Sequence, residues 1–346
     1  MEGCFIPRSE RAKEMNSKKC VSSAVYLDIA KSGSIDLAIQ QCEEALKSNA
    51  FYAPALWSRS FLKMLQGDLS YWAKYEWYDD PRYGPQKGWF RRRINKPLWM
   101  GEQLKGKKIF LYCDEGFGDF FQFIRYAKLI KERGGHTIVE CLPNTTELIR
   151  ACPGVDETVE YGEVVDFDLH CPLMLAPRYF DVANFIPAEV YLKPSEPQNE
   201  HLKCFSFVNK PSIGIVWKGN PKHSNDTERS ISPYIFKKLK TNHLLVSLQH
   251  GEYGDDFLNM GIMIKDWADT AYIISKMDLI ITVDTAVAHL AGAMGKEVWV
   301  LLPKFPDWRW GLNKPYTSWY PSMRLFRREG SWEELIVKVN ENLCGR

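Results

Sequence analysis

An apolar run that ends in an acid and is followed by small residues is a place where a chain can hold an anion. Leu279-Ile280-Ile281-Thr282-Val283-Asp284-Thr285-Ala286-Val287-Ala288-His289 has that form. It predicts a strand that stops at Asp284 and a helix that opens on Thr285 and Ala286. The first N–H groups of such a helix have no partner within it, and the helix dipole adds positive potential there. Small side chains leave those donors open to a pair of phosphates. Asp284 is expected to cap the helix and to reach a sugar hydroxyl. His289, one turn further in, is expected to face the phosphates. The plain alternative makes Asp284 only a cap and His289 only a core histidine; the two together at one strand-to-helix turn favour binding.

A second turn, Asp114-Glu115-Gly116-Phe117-Gly118-Asp119, follows the first apolar strand. Gly118 lets a ligand come close, and Asp119 can take the proton from an attacking hydroxyl. Asp119 as an ordinary helix cap stands beside that reading, and the residues alone do not separate them. The turn has neither the Gly-x-Gly-x-x-Gly of dinucleotide folds nor the Gly-Lys-Ser/Thr of a P-loop, so neither cofactor class is expected. A third element is the polar loop from Trp217-Lys218-Gly219-Asn220 through His223 to Arg229-Ser230-Ile231. Its cations Lys218, His223 and Arg229 can offset the charge that grows on a leaving diphosphate. Each alone reads as a surface residue; the cluster at a strand end carries the signal. Asp166-Phe167-Asp168 matches a metal-binding triplet, but such triplets are common by chance and no metal site is expected there. Asp255-Asp256 reads as a solvated loop. Phe305-Pro306-Asp307-Trp308-Arg309-Trp310 can stack on a base or sugar, or serve interdomain packing.

These turns need strands and helices to hold them. From Lys107 onward short apolar strands alternate with helices, the signature of parallel βαβ units. The expected strands are Ile109 to Cys113, Thr137 to Leu142, and two more near Thr158 and Asp168; the helices are Phe120 to Arg133 and Thr145 to Ala151. Pro187 to Pro211 reads as an interdomain linker. The pattern then restarts with strands Ile213 to Trp217, Leu244 to Leu248, Ile262 to Ile264, Leu279 to Val283 and Val298 to Leu302. Helices Pro233 to Leu239, Thr270 to Lys276, Ala286 to Met294 and Trp332 to Leu343 complete it. Two doubly wound halves would face each other across a cleft at the carboxyl ends of their strands.

Ahead of them, residues 22–80 read as helical, with Ala24, Leu27, Ala38, Cys42, Ala45 and Leu46 on the apolar face. Breaks fall at Ser32-Gly33-Ser34 and at Gly67-Asp68, 34 residues from glycine to glycine. That is the tetratricopeptide period, present once with part of a second copy, so packing on a neighbouring domain is expected. A plain helical hairpin is the alternative. Domains are expected at 1–97, 98–205 and 206–346.

The formal net charge of +2 argues against capture of nucleic acid by bulk electrostatics. Arg91-Arg92-Arg93 remains a local basic run, read as solvated surface before contact with an anionic acceptor. Nine scattered cysteines, an odd number with no Cys-x-x-Cys pair and no zinc spacing, fit a reduced compartment. The N-terminus has no signal-like apolar stretch and no run is long enough to span a bilayer, so a cytoplasmic protein without membrane insertion is expected.

Taken in order, the phrases Glu115-Gly116-Phe117-Gly118-Asp119-Phe120-Phe121-Gln122-Phe123, Val216-Trp217-Lys218-Gly219-Asn220-Pro221, Arg229-Ser230-Ile231, Ser247-Leu248-Gln249, Val283-Asp284-Thr285-Ala286-Val287-Ala288-His289-Leu290-Ala291-Gly292 and Leu301-Leu302-Pro303 resemble the heptosyltransferase-like glycosyltransferases of family nine. The branch resembled is the one with N-terminal tetratricopeptide repeats. The resemblance implies a GT-B fold and metal-independent, inverting transfer of a hexosyl or heptosyl group. The co-substrate would be a nucleotide-diphosphate sugar, with no further cofactor. It implies Asp119 as general base, Asp284, Thr285 and Ala286 at the donor phosphates and sugar, and Arg229 as a phosphate-binding cation. Gln249 and Glu252 would contact the nucleoside, with Gly118, Trp217, Lys218, Asn220 and His289 in the same donor site. Phe120-Phe121 stands where the family often has a small polar residue, which implies a more apolar acceptor side. The acceptor (a protein, a glycan or a modified nucleic-acid base) is left open. The alternatives are a nucleotide-sugar-binding or scaffold protein with a decayed transferase domain, and an epimerase, for which no second acid–base pair is identifiable.

Overall fold

A computed structural model describes residues 22–73, 94–197, 199–203, 210–223, 225–252 and 256–344. Arg91-Arg92-Arg93, Ser224 and Asp255 therefore lie outside the described residues. The chain divides into two compact units, Met1–Trp89 and Phe90–Arg346.

In the first unit α1 (Ser23–Lys31), α2 (Ile35–Ser48) and α3 (Ala53–Leu65) pack on one another, followed by the short α4 (Ser70–Ala73). Gly33 and Gly67 both take a left-handed conformation, with φ of 101° and 100°. At each, the chain closes the preceding helix with a six-to-one bond: Ser34 N–H to Ile29 O at 3.3 Å, and Asp68 N–H to Lys63 O at 3.0 Å. Glycine adopts this closing position at no steric cost, so the two breaks are one device used twice. Tyr26, Ala30, Ala38, Cys42 and Ala55 form the buried face. Ala24 is exposed and Leu27 half-buried, because the inward stripe of α1 runs through Tyr26 and Ala30.

The second unit carries two all-parallel sheets. In the first, β1 (Lys108–Tyr112), β2 (His136–Glu140), β3 (Glu157–Val159) and β4 (Leu169–Pro172) lie in the order β3-β2-β1-β4. Between β1 and β2 run α5 (Phe117–Phe123) and α6 (Tyr126–Lys131); α7 (Thr146–Ile149) follows β2, and a 3-10 helix (Leu173–Tyr179) follows β4. The expected single helix from Phe120 starts earlier, at Phe117, and is divided. Where it divides, Arg125 Nε folds back onto the Gln122 carbonyl at 2.7 Å.

After α8 (Glu200–Lys203) the second sheet contains β5 (Ser212–Val216), β6 (Leu244–Ser247), β7 (Leu258–Asn259), β8 (Leu279–Val283), β9 (Val298–Leu302) and β10 (Met323–Arg327), ordered β10-β9-β8-β5-β6-β7. Its helices are α9 (Asp226–Arg229), α10 (Pro233–Phe236), α11 (Trp267–Ser275), α12 (Ala286–Ala293) and α13 (Trp332–Leu343), with a 3-10 turn at Trp308–Trp310. β5, β8 and β9 are buried along their whole length, as expected where both faces of a parallel sheet are covered.

Two expectations give way here, and one strand is unanticipated. The strand anticipated at Ile262 to Ile264 is absent. The pairing strand is β7, and both Met260 and Gly261 turn back to the Ser247 carbonyl, which ends the ladder before Ile262. β10 escapes a search for apolar runs because it alternates, with Arg324 exposed between buried Met323 and Leu325. The stretch from Pro187 is no free linker at its start: Tyr191 and Leu192 are buried and donate to the Ala293 carbonyl at the end of α12.

In both sheets the first strand lies beside the fourth. Successive strands therefore depart on opposite sides of β1 and of β5, and ligands bind in such folds at that divide, off the carboxyl ends. The register places Val216 against Thr282. Lys218 and Asp284, two residues beyond each, thus leave the second sheet as neighbours.

Candidate functional site

Gly116 is the N-terminal boundary residue of α5, and Asp119 falls on the first turn of the helix. Its Oδ1 accepts from Arg309 Nη2, an ion pair that joins the first sheet's helix to the 3-10 turn after β9. The N–H groups of Gly116 and Asp119 also hold the carboxylate. Asp119 is therefore tied to the start of its own helix and to Arg309 at once, while the cap position itself belongs to Gly116. Burial pushes its pKa above the ordinary carboxylate value; Arg309 opposes this, and the nearby Asp307 adds to it.

The second turn differs from expectation. Thr285, extended at φ −140°, is the boundary residue of α12, and its side chain makes no capping bond; instead Thr285 Oγ1 meets Thr282 Oγ1 at 3.1 Å. Asp284 stands one residue before the cap. Its carbonyl accepts from Arg229 Nη1 at 3.0 Å, so β8 is extended by a guanidinium rather than by another strand. Burial first and Asp307 second push the Asp284 carboxyl up to about 6, against Arg229. His289 is 5% exposed, stacked on Trp310 at 5.2 Å with Nδ1 3.0 Å from Tyr320 Oη. Burial holds it well below the imidazole range, with Arg309 adding to that.

The two turns meet. A Cβ on Gly118 would sit 3.0 Å from His289 Cδ2 and 3.8 Å from Ala286 Cα, so only glycine lets the α5 and α12 starts approach this closely. Gly219 plays the same part for Arg229, because a Cβ there would lie 2.6 Å from Arg229 Nη2 and 2.8 Å from Asp226 Oδ1. Arg229 Nε pairs with Asp226 Oδ1 at 3.3 Å, and Ser230 Oγ donates to that same oxygen at 2.8 Å.

Other expected donor residues also hold the loop in place. Trp217 is 1% exposed and belongs to the core of the second sheet. Gln249 Oε1 accepts the backbone N–H of Trp217 at 3.3 Å and of Lys218 at 3.0 Å, fixing the loop where it leaves β5. Glu252 accepts from Trp217 Nε1 at 3.2 Å and from Lys218 Nζ, which holds its carboxyl below the usual range. Asn220 Oδ1 accepts Lys222 N–H at 3.0 Å within an exposed turn. Phe120 and Phe121 are buried; Phe121 packs on Trp267 at 4.8 Å, so they do not make the cleft wall apolar. Asp168 Oδ2 accepts Lys108 N–H at 2.8 Å at the start of β1, and Asp166 faces Lys96 at 3.6 Å in an exposed ion pair. Asp256 pairs with Lys237. Among the described residues no three metal-ligating side chains converge, and no helix is long and apolar enough to cross a membrane.

The charged centre was missed. Sequence reasoning weighed Phe305 to Trp310 for its aromatics, yet its acid and base stand in the cleft. Asp307 caps the 3-10 turn through Arg309 N–H at 3.0 Å and grips Arg309 Nη1 at 2.8 Å. Trp308 stacks under the guanidinium at 4.7 Å. An Asp-x-Arg pair directly after a strand of the second half was the available signal.

No family model matches the chain. It is similar to Protein FlbA of Caulobacter vibrioides, 24% identical over 352 residues that cover 89% of this chain and 58% of that protein. The chain thus spans a little over half the length of the curated relative it matches. Among solved structures it is similar to a family 9 glycosyl transferase from Veillonella parvula (12% identity, 70% of this chain, 98% of that one, TM-score 0.48). It is also similar to the E. coli ADP-heptose LPS heptosyltransferase II (11% identity, 69% of this chain and 99% of that one, TM-score 0.49).

Proposed function

We propose that the chain is a glycosyltransferase of GT-B architecture that moves a hexosyl or heptosyl group from a nucleotide-diphosphate sugar to a hydroxyl acceptor with inversion. One observation carries the reading. The strand-to-helix turns at the divides of two parallel sheets touch at Gly118 and Ala286, with a base candidate on one side and an anion-binding helix start on the other. The diphosphate would lie at the N-terminus of α12, where Thr285 and Ala286 leave backbone donors uncovered. Arg229, beside that turn, would take charge from the phosphates, with Lys218 at the rim.

In the step itself, the acceptor hydroxyl gives its proton to Asp119 while its oxygen bonds to the anomeric carbon. The bond from that carbon to the diphosphate oxygen breaks, and the electron pair leaves with the nucleoside diphosphate. Guanidinium groups and helix donors supply the positive charge at the leaving group, which is why the reading is metal-independent. Asp284 would hold a hydroxyl of the donor sugar. The helical unit is read as one tetratricopeptide repeat with part of a second copy, on the shared closing geometry of Gly33 and Gly67, and as an element that helps to present the acceptor. A cytoplasmic setting is supported by Cys42, Cys113, Cys141, Cys152 and Cys171, all free and buried.

A thermal-shift panel of nucleoside diphosphates, followed by mass spectrometry with the sugar form of whichever stabilises the protein, tests the reading. Stabilisation by one base and release of that diphosphate are expected. No response to any member would favour the scaffold alternative.

A further inference from the structure

Arg309 has no role in the reading above, although it holds two carboxylates and a buried amide together. Its side chain is 12% exposed, and each nitrogen is committed. Nη2 holds Asp119 Oδ1, Nη1 holds Asp307 Oδ1 at 2.8 Å, and Nε holds Gln122 Oε1. Gln122 is fully buried, and its Nε2 makes no hydrogen bond. The amide is thus oriented for the guanidinium at the cost of an unsatisfied donor. Phe123, at 5.8 Å, and Trp308, at 4.7 Å, lie against the cation. A side chain held on three polar sides and bounded by two rings cannot swing between partners without breaking several contacts. A salt-bridging arginine at the surface is not built this way.

We propose that Arg309 is a positioning residue for Asp119: reaching across from the second sheet, it grips Oδ1, fixes the carboxylate in its enclosed setting, and leaves Oδ2 as the oxygen that accepts the acceptor proton. Oδ2 is the oxygen on the Gly116 side, 3.8 Å from where a Cβ on that glycine would stand. The charged and titratable groups facing Asp119 are Arg309 and Asp307 on the 3-10 turn, His223 on the loop after β5, and Cys113 at the end of β1. Only Arg309 among them is a fixed cation, and burial together with Asp307 works against ionisation. Bidentate bridging of two carboxylates also suits a guanidinium and not an ammonium. The inference rests on Asp119 as the base, but what it asserts about Arg309 can be measured without any donor.

The test is the titration of Asp119 in the full chain carrying carboxyl-labelled aspartate, followed by carbon NMR and assigned by its loss in Asp119→Asn. In Arg309→Gln the midpoint should rise by about one to three pH units over the parent. Arg309→Lys, whose ammonium cannot bridge Asp119 and Asp307 together, should give a smaller rise and serves if the glutamine variant does not fold. An unmoved or lowered midpoint in a folded variant overturns the proposal. Adding ADP, UDP, GDP and CDP in turn to the parent separates the two ideas. If none binds while the midpoint still moves with Arg309, the transferase reading fails and the positioning role stands.

Discussion

The turn after β1 and the turn after β8 both lie at the divide of a sheet, one after the first strand and the other after the fourth, and they are built to opposite ends. After β1, a glycine starts the helix and an acid on its first turn is carried to a cation of the other sheet. After β8, the acid comes before the helix, the helix opens on Thr285 and Ala286, and the nearby cation binds a backbone carbonyl. Moving the acid from just outside the helix to its first turn changes what the turn presents. One turn projects a carboxylate; the other projects backbone N–H groups and keeps its carboxyl enclosed. A fold needs only one topology to place both, and the position of a single aspartate relative to the cap separates a base from an anion site.

Four substitutions would sharpen or break this contrast. The largest effect is expected from Arg229→Met, which removes the cation from the β8 turn and leaves Asp226 unpaired. Affinity for whichever nucleoside diphosphate stabilises the parent should fall by about 100-fold, at 1.5–3 kcal/mol for each lost charge-assisted bond. Calorimetric titration reads this directly, and unchanged affinity would remove the anion role from this turn.

Asp284→Asn comes next, with a sign of its own. The folded protein keeps the Asp284 proton up to about pH 6, against 3.8 when unexposed to the fold. Folding therefore favours the protonated form, and the ionised carboxyl costs stability at higher pH. Stability should fall as pH rises from about 4 to about 6, and the asparagine variant should be flat over that window. Near neutral pH the variant should gain on the order of 2 kcal/mol. Thermal unfolding at stepped pH checks this; an asparagine variant no more stable than its parent would show that the enclosed carboxyl is not under strain. Gly219→Ala should follow, weakening diphosphate binding roughly tenfold by displacing Arg229, with the parental circular dichroism spectrum retained. Smallest is Glu252→Gln: its pair with Lys218 is partly exposed, so unfolding free energy should change by less than about 1 kcal/mol.

Much of the fold could be read from spacing. β8, β9 and α13 follow from uninterrupted apolar runs and a helical stripe, and the residues of both cleft turns follow from where those runs stop. What escaped has physical causes. β10 shows no run because Arg324 and Arg327 interrupt its apolar residues. The strand expected at Ile262 fails because β6 captures the chain two residues earlier. The bracing of the loop by Gln249 leaves no mark in the sequence, since a polar residue after a strand looks alike whether it faces a ligand or holds the backbone. Arg309 was hidden for a different reason: its partner Asp119 is 190 residues away, and no local pattern records a pairing across two sheets. The contact of His289 with Tyr320, 31 residues on, has no local signal either.

The most direct test of the account is transfer by Asp119→Ala with the donor found by the diphosphate panel, measured beside donor binding by the same protein. Loss of a positioned base should lower turnover by about 10²- to 10⁴-fold, while the nucleoside diphosphate binds as tightly as to the parent. Near-parental turnover with tight binding would contradict the assignment of Asp119 and, with it, the division of labour between the two turns.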